Sequence, residues 1–475
     1  MAKLIKRKKP MTVDPVKVSQ TMGASLAFLG LDKSIPLLHG NQGCSAYGKI
    51  LFIRHFYEPV PLQTTGLDHL AAVMDPDQNL KEGLVTVCEK NKPEIIGVLT
   101  TGVSEAEGTD IKRIIKEFRM DYPQYDDVLV IPVCTPDYLG CLESGYAAAV
   151  EAIIDNCIVQ SPVEVKEKAK DKKKDSKDLV ILPSAMHTPA DIETIRLMVE
   201  MFGLNPILLP DLSGSLDGHL AESRYSPITY GGSSKGMFER IASACGVVSI
   251  GLSMKSAGML LHQCAGISFF HFDGLTGIKA NDEFMAMLMK LSGNPVPAMY
   301  KRQRQCLRDA YLDAHFYLGQ CRLAVAADPD LLIPLQALSE ETGLNLQYAV
   351  TSDTNNSEIK EKLEGLGYKT IQEGDLEDFR KLSYEYAVDL VVGNSYLAEF
   401  CEDQELAHYR AGYPIYDRMG GSRICRVGYA GTTDMVLDMA NLVWQQRPEG
   451  ADPYTSVFKR NGGAYDTDAA SHASH

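Results

Sequence analysis

The sequence predicts an α/β protein made of three Rossmann-like domains, each a parallel sheet flanked by helices. Two observations carry this reading. Short apolar runs of strand length alternate along the chain with segments whose apolar residues recur at helical spacing, the pattern of parallel strands wrapped by helices. At 475 residues the chain also exceeds what one core can organise, and roughly three units fit it.

The elements follow in order. Asp14-Pro15 reads as a helix start, with Asp as cap and Pro in the first turn, and Gly30 as its stop. Ile35–Leu38 reads as a short buried strand, with Gly40 and Gly43 marking a tight turn after it. Further buried strands are expected at Glu94–Leu99, Asp127–Val133, Leu179–Leu182, Pro206–Leu209 and Val247–Ile250. Three more are expected at Leu323–Ala326, Leu346–Val350 and Leu390–Val392. Helical periodicity falls between them at Ile111–Phe118, Ala190–Phe202, Asp282–Leu291 and Thr432–Trp444.

One segment breaks the alternation. Val165–Lys177 carries seven lysines and almost no apolar mass, which reads as a solvated linker. The domains expected are therefore 1–160, a Lys-rich linker at 161–177, a second domain at 178–320, and a third at 321–449. Residues 450–475 read as a polar tail.

The net charge of −15, from 47 basic and 62 acidic residues, argues against a nucleic-acid or anionic-membrane partner. The basic start has no apolar stretch after it, and no run approaches the ~20 residues of a membrane span, so a cytoplasmic location is expected. The 11 cysteines show no paired spacing, which fits neither a disulfide framework nor a zinc site. Most of them are expected in the core, as at Cys88 and Cys245.

Cys44 stands out. In His39-Gly40-Asn41-Gln42-Gly43-Cys44-Ser45 it follows a strand directly, at the sheet end where open α/β proteins collect ligands. A thiolate among small neighbours suits a soft metal or an iron–sulfur cluster, although one cysteine cannot hold a cluster alone. The alternative is a buried free cysteine acting as a small apolar residue. His39 and His55 read as structural imidazoles. Leu261-His262-Gln263-Cys264 reads as part of a buried strand, and Gly231–Lys235, lacking phosphate-loop spacing, as a flexible turn before a helix from Met237.

An ordered set of stretches adds a resemblance. Gly40–Cys44 is followed by Arg54-His55-Phe56-Tyr57-Glu58-Pro59-Val60, then Thr100–Glu105 with Gly108 and Asp110, and Thr135–Tyr138 with Gly140. Later come Leu212–His219, Asn281–Phe284, Gly293–Pro297, Asp313–Tyr317, Asp417-Arg418 and Gly428–Gly431. Together they resemble the nitrogenase component 1 superfamily over nearly the whole chain. The resemblance is to its β-type subunits, and within them to the scaffold branch on which the iron–molybdenum cofactor is completed.

The resemblance implies the nitrogenase component 1 β-type architecture and a specific loss. Of three cysteines with which catalytic β subunits hold their share of an eight-iron cluster, the first matches Cys44. The other two positions hold Leu62 and Gly102, which supply no donor. It thus implies a scaffold without catalysis of its own, and Cys44 as ligand to a 4Fe-4S cluster shared with a NifE-like α-type subunit in a heterotetramer. The iron–molybdenum cofactor precursor would be held mainly by that partner. The nitrogenase Fe protein and the precursor supplier NifB are the further partners implied. Cys141 aligns with a serine that ligates the cluster in catalytic subunits, and reads either as a thiol near the cluster or as a packed helix end. The alternatives in function are a catalytic β-type subunit of nitrogenase or a related reductase, or the vanadium-system counterpart of the scaffold.

Overall fold

The computed structural model describes residues 2–7, 15–68, 75–159, 176–220, 226–354 and 356–446. The lysine run at 166–174 and the tail at 450–475 lie outside the described residues.

Fourteen strands form three sheets among the described residues, and every pairing in them is parallel. The first sheet has the order β3-β2-β4-β5, from β2 (Ser34–His39), β3 (Gln63–Thr64), β4 (Ile95–Thr100) and β5 (Leu129–Val133). The second has the order β7-β6-β8-β9, from β6 (Asp178–Pro183), β7 (Asn205–Leu208), β8 (Gly246–Ile250) and β9 (Ser268–Phe272). The third has six strands in the order β1-β12-β11-β10-β13-β14. Its members are β1 (Lys3–Ile5), β10 (Arg322–Ala326), β11 (Asn345–Thr351), β12 (Thr370–Glu373), β13 (Leu390–Gly393) and β14 (Ala407–Arg410). All nine strands expected from apolar runs are present, within two residues at each end.

β2 is all buried because helices cover both faces of its sheet. On one face Ile35 and Leu37 join Leu80, Leu84, Ile114 and Phe118 from the helices Pro76–Asn91 and Ile111–Asp121. On the other, the helix Gln20–Leu29 is buried at every residue from Thr21 onward. It lies between the sheet and the helix Leu142–Ile154, and two glycines permit the approach. A Cβ on Gly23 would stand 1.9 Å from the Leu142 carbonyl oxygen, and one on Gly145 would stand 2.0 Å from that of Gln20. Contacts this short admit no side chain.

Several expectations change. The first helix begins at Gln20, not at Asp14-Pro15: Asp14 lies outside the described residues, and Pro15–Ser19 is non-helical. Gly30 does end that helix. Leu261–Cys264 lies on the helix Lys255–Ala265, whose buried residues Ala257, Gly258 and Leu261 follow a helical stripe rather than strand alternation. Gly231–Lys235 is pinned rather than free: the Ser233 N–H donates to the Gly30 carbonyl and its hydroxyl to that of Leu208. β1 pairs with β12, so the range 1–160 contributes to the third sheet as well as the first.

No described helix is long and apolar enough to cross a membrane.

Candidate metal centre at the rim of the first sheet

Where the strand order runs from β3-β2 to β4-β5, chains leave β2 and β4 in opposite directions and open a crevice at their carboxyl ends. Cys44 stands at this switch point. It is the third residue of the helix Gln42–Phe56, so the expected turn is a helix start. Asn41 caps it, its side chain accepting the Gly43 N–H at 2.8 Å. The thiol is half-buried. Burial raises its pKa above the usual value, and the Asp137 carboxylate adds to the rise. The free side chain is therefore a thiol, although a first-turn position favours the thiolate once a cation neutralises it.

The rim around Cys44 is close-fitted. A Cβ on Gly40 would stand 2.5 Å from Thr101 Oγ1, so β2 and β4 leave no room for a side chain between their ends. Asp137 bridges the crevice: Oδ2 accepts the Gly102 N–H at 3.0 Å and Oδ1 accepts the Thr21 hydroxyl at 2.7 Å. The motif Thr135–Tyr138 was legible as a stretch, but the role of Asp137 in it was not.

The other two expected ligand positions differ from each other. Leu62 is fully buried beneath the helix Gln42–Phe56. A Cβ on Gly48 would lie 2.8 Å from Leu62 Cδ2 and 2.6 Å from Met22 Sδ. Gly102 opens the short helix Gly102–Ala106, and the nearest atom to an added Cβ is Asp137 Oδ2 at 3.4 Å, an ordinary contact.

The remaining sequence candidates are buried. Cys141 caps the helix Leu142–Ile154 and is buried, and burial drives its pKa well above the usual thiol value. His39 Nδ1 lies 3.1 Å from the Thr65 hydroxyl, and His55 Nδ1 accepts the Ile415 N–H at 2.9 Å. Burial lowers them to about 4 and about 3, so both are neutral.

Among the described residues no group of three or more His, Cys, Asp or Glu side chains could hold a metal ion. The donor set at the rim is one soft thiol, which fits one corner of an iron–sulfur cluster and nothing larger. Exposed apolar side chains flank it: Tyr47 and Ile50 on the helix Gln42–Phe56, with Val103, Tyr138 and Leu139 across the crevice.

Comparison with known proteins agrees with this architecture. The family model described as Nitrogenase component 1 type Oxidoreductase matches residues 19–443, and the chain belongs to that family. The chain is similar over 95% of its length to a solved chain titled "Nitrogenase Cp1 at pH 6.5", with a TM-score of 0.85, 27% identity and 98% of that chain covered. Two curated relatives resolve the branch. Nitrogenase iron-molybdenum cofactor biosynthesis protein NifN of Klebsiella pneumoniae is 37% identical across 98% of this chain and 100% of its own. The protein of the same name from Nostoc sp. is 39% identical across 91% and 94%. Within the family the chain is of the NifN type.

Proposed function

We propose that the chain is a scaffold subunit of iron–molybdenum cofactor biosynthesis in nitrogen fixation, the process its NifN relatives are named for. In this reading it pairs with a NifE-like α-type subunit in a cytoplasmic heterotetramer. Cys44 supplies one ligand to a 4Fe-4S cluster shared across the interface, and the partner supplies the other three. The cofactor precursor, delivered from NifB, rests mainly on the partner, and the Fe protein provides electrons. The chain carries no catalysis of its own.

The observation that supports this most is the donor count at the crevice: one thiol at Cys44, a fully buried leucine at 62 and an open glycine at 102. A catalytic β-type role would require donors at both of the latter positions. The exposed apolar rim supports a partner face, since aromatic and aliphatic side chains around a desolvated centre are what a stable interface uses.

When bound, such a cluster supplies one-electron transfer at a potential set by its ligands and surroundings. The chain's residues prepare the place for it. Cys44 gives up its proton on ligation, and the helix start at Asn41–Gly43 offsets the negative charge that results. Asp137 is held by Thr21 and Gly102. Tyr47, Ile50 and Val103 exclude water once the partner is seated.

The test is Cys44→Ala in the complex co-purified with its α-type partner. Iron content and the reduced-state EPR signal of the shared cluster are expected to fall while the complex stays assembled. Unchanged iron and EPR would remove Cys44 from the site and with it the shared-cluster reading.

A further inference from the structure

Beside Cys44, the rim of the first sheet carries a fixed carboxylate. Asp137 lies beyond β5, in the segment that leads to the helix Leu142–Ile154. Both of its oxygens are held. Oδ1 accepts the Thr21 hydroxyl at 2.7 Å, from the helix Gln20–Leu29, and Oδ2 accepts the Gly102 N–H at 3.0 Å, at the start of the helix Gly102–Ala106. Both donors are neutral. Among the described residues no lysine, arginine or histidine forms an ion pair with Asp137, so its charge is oriented but not cancelled.

Two observations place that charge in the crevice with the thiol. The carboxylate is close enough to Cys44 to add to the rise in its pKa. It also stands over Gly102, where an added Cβ would meet Asp137 Oδ2 at 3.4 Å and its Cβ at 3.7 Å. The open position 102 is thus faced by an anion.

Asp137 is exposed in the chain alone, as are its neighbours Tyr138 and Leu139. In water and salt its field is screened. Under a partner seated on this apolar rim the carboxylate would leave water along with those neighbours, and its field would reach whatever Cys44 holds. Covering a carboxylate that has no counter-cation costs free energy, which a purely structural acceptor would not need to spend.

We propose that Asp137 sets the redox potential of the cluster held at Cys44, keeping it low by fixing a negative charge beside that corner. This rests on the proposed function, which puts the cluster there. Adding an electron beside a carboxylate costs Coulomb energy, so the charge favours the oxidised state. Thr21 and Gly102 fix the distance over which it acts. Asp137 is a tuning group here and not a ligand.

The test is a redox titration of the complex co-purified with its α-type partner, reading the reduced-state EPR signal against graded dithionite with mediators. In Asp137→Asn the oxidised-to-reduced ratio at a fixed potential is expected to fall about tenfold, a rise of about 59 mV in midpoint for one electron. Asp137→Ser, a second neutral replacement, carries the same expectation and keeps the test available if Asp137→Asn does not assemble. Thr21→Val removes a hydrogen bond to Asp137 but no charge, and is expected to move the ratio by less than about twofold.

A midpoint in the neutral variants that is unmoved or lower, at wild-type iron content, would overturn this inference alone. A rise in Thr21→Val as large as in Asp137→Asn would do the same, since the effect would then come from the hydrogen bonds. Loss of cluster iron in both neutral variants would also overturn it, by making Asp137 necessary for holding the cluster. A wild-type complex without the cluster would overturn it together with the reading under it.

Discussion

The two crevices at strand carboxyl ends have opposite characters. The one at β2 and β4 is shallow, with exposed aromatic and aliphatic side chains around a single thiol. The one between the second and third sheets is closed and crowded with charge. Glu143, Asp328, Asp330, Asp191 and Arg426 are all buried there, and the Asp330 N–H donates to Glu143 across the boundary between the first and third units. The same topological position thus serves two ends. Where the crevice is open, apolar side chains stay exposed, the surface that the proposed partner would cover. Where it is closed, polar groups must satisfy one another, and the units become mutually dependent.

The comparison breaks most visibly at Asp191. Replacing it with alanine strands the Thr188, Arg426 and Val427 N–H groups and leaves the Arg426 guanidinium without its counter-charge. A loss of about 4 kcal/mol is expected, read as a lowered denaturant midpoint. A loss below about 1 kcal/mol would show that the closed crevice is not a structural junction.

Leu62→Ala comes next. It opens a void beneath the helix Gln42–Phe56, at an expected cost of about 3 kcal/mol in the same measurement. A near-neutral effect would mean that this position is part of the open rim rather than of the core under it.

The third measurement is a pH dependence. Burial, with the nearby Asp330 and Asp353 carboxylates, pushes Asp328 up to about 7 despite the Ser352 hydroxyl that donates to it. The folded state therefore favours the protonated acid. Its contribution is full below the ordinary value of 3.8 and is lost as pH rises through about 7. His39, His55 and His408, lowered to about 4, about 3 and about 4 chiefly by burial, act oppositely and add stability as pH rises through 6.5. The informative quantity is thus the difference between wild type and Asp328→Asn. The variant is expected to lose less stability than wild type between about pH 4 and 7. Parallel pH profiles would contradict it.

Gly102→Ala sharpens the contrast from the other side. Its φ is not in the left-handed region and an added Cβ meets only ordinary contacts, so a change within about 0.5 kcal/mol is expected. A large loss would move Gly102 into the packed class with Leu62.

What could be read from the sequence follows the same division. Strands buried on both faces, such as Ile95–Thr100 and Leu390–Gly393, announce themselves as apolar runs. Lys3–Ile5, Thr370–Glu373 and Ala407–Arg410 do not, because their strand character comes from a neighbour's backbone rather than from their own side chains. Leu261–Cys264 misled because two alternating polar positions also fit a helix, where Ala257 and Leu261 share the buried face. The loop that carries Cys44 was legible because the family's motifs lie in order along the chain. The pairing of His187 and Asp191 with Arg426 was not, since more than two hundred residues separate groups that only the packing of two sheets brings together.

The parallel pairing of Lys3–Ile5 with Thr370–Glu373 bears on biosynthesis. At ribosomal rates of about 5–20 residues per second, β1 leaves the ribosome roughly 20–70 s before its partner strand exists. β1 alone must wait across most of translation, since β10 to β14 are all made between Arg322 and Arg410. Until it pairs, β12 presents a bare edge to any extended polypeptide nearby. The chain's opening residues act as a closing clasp, fastened only after nearly everything else has been made.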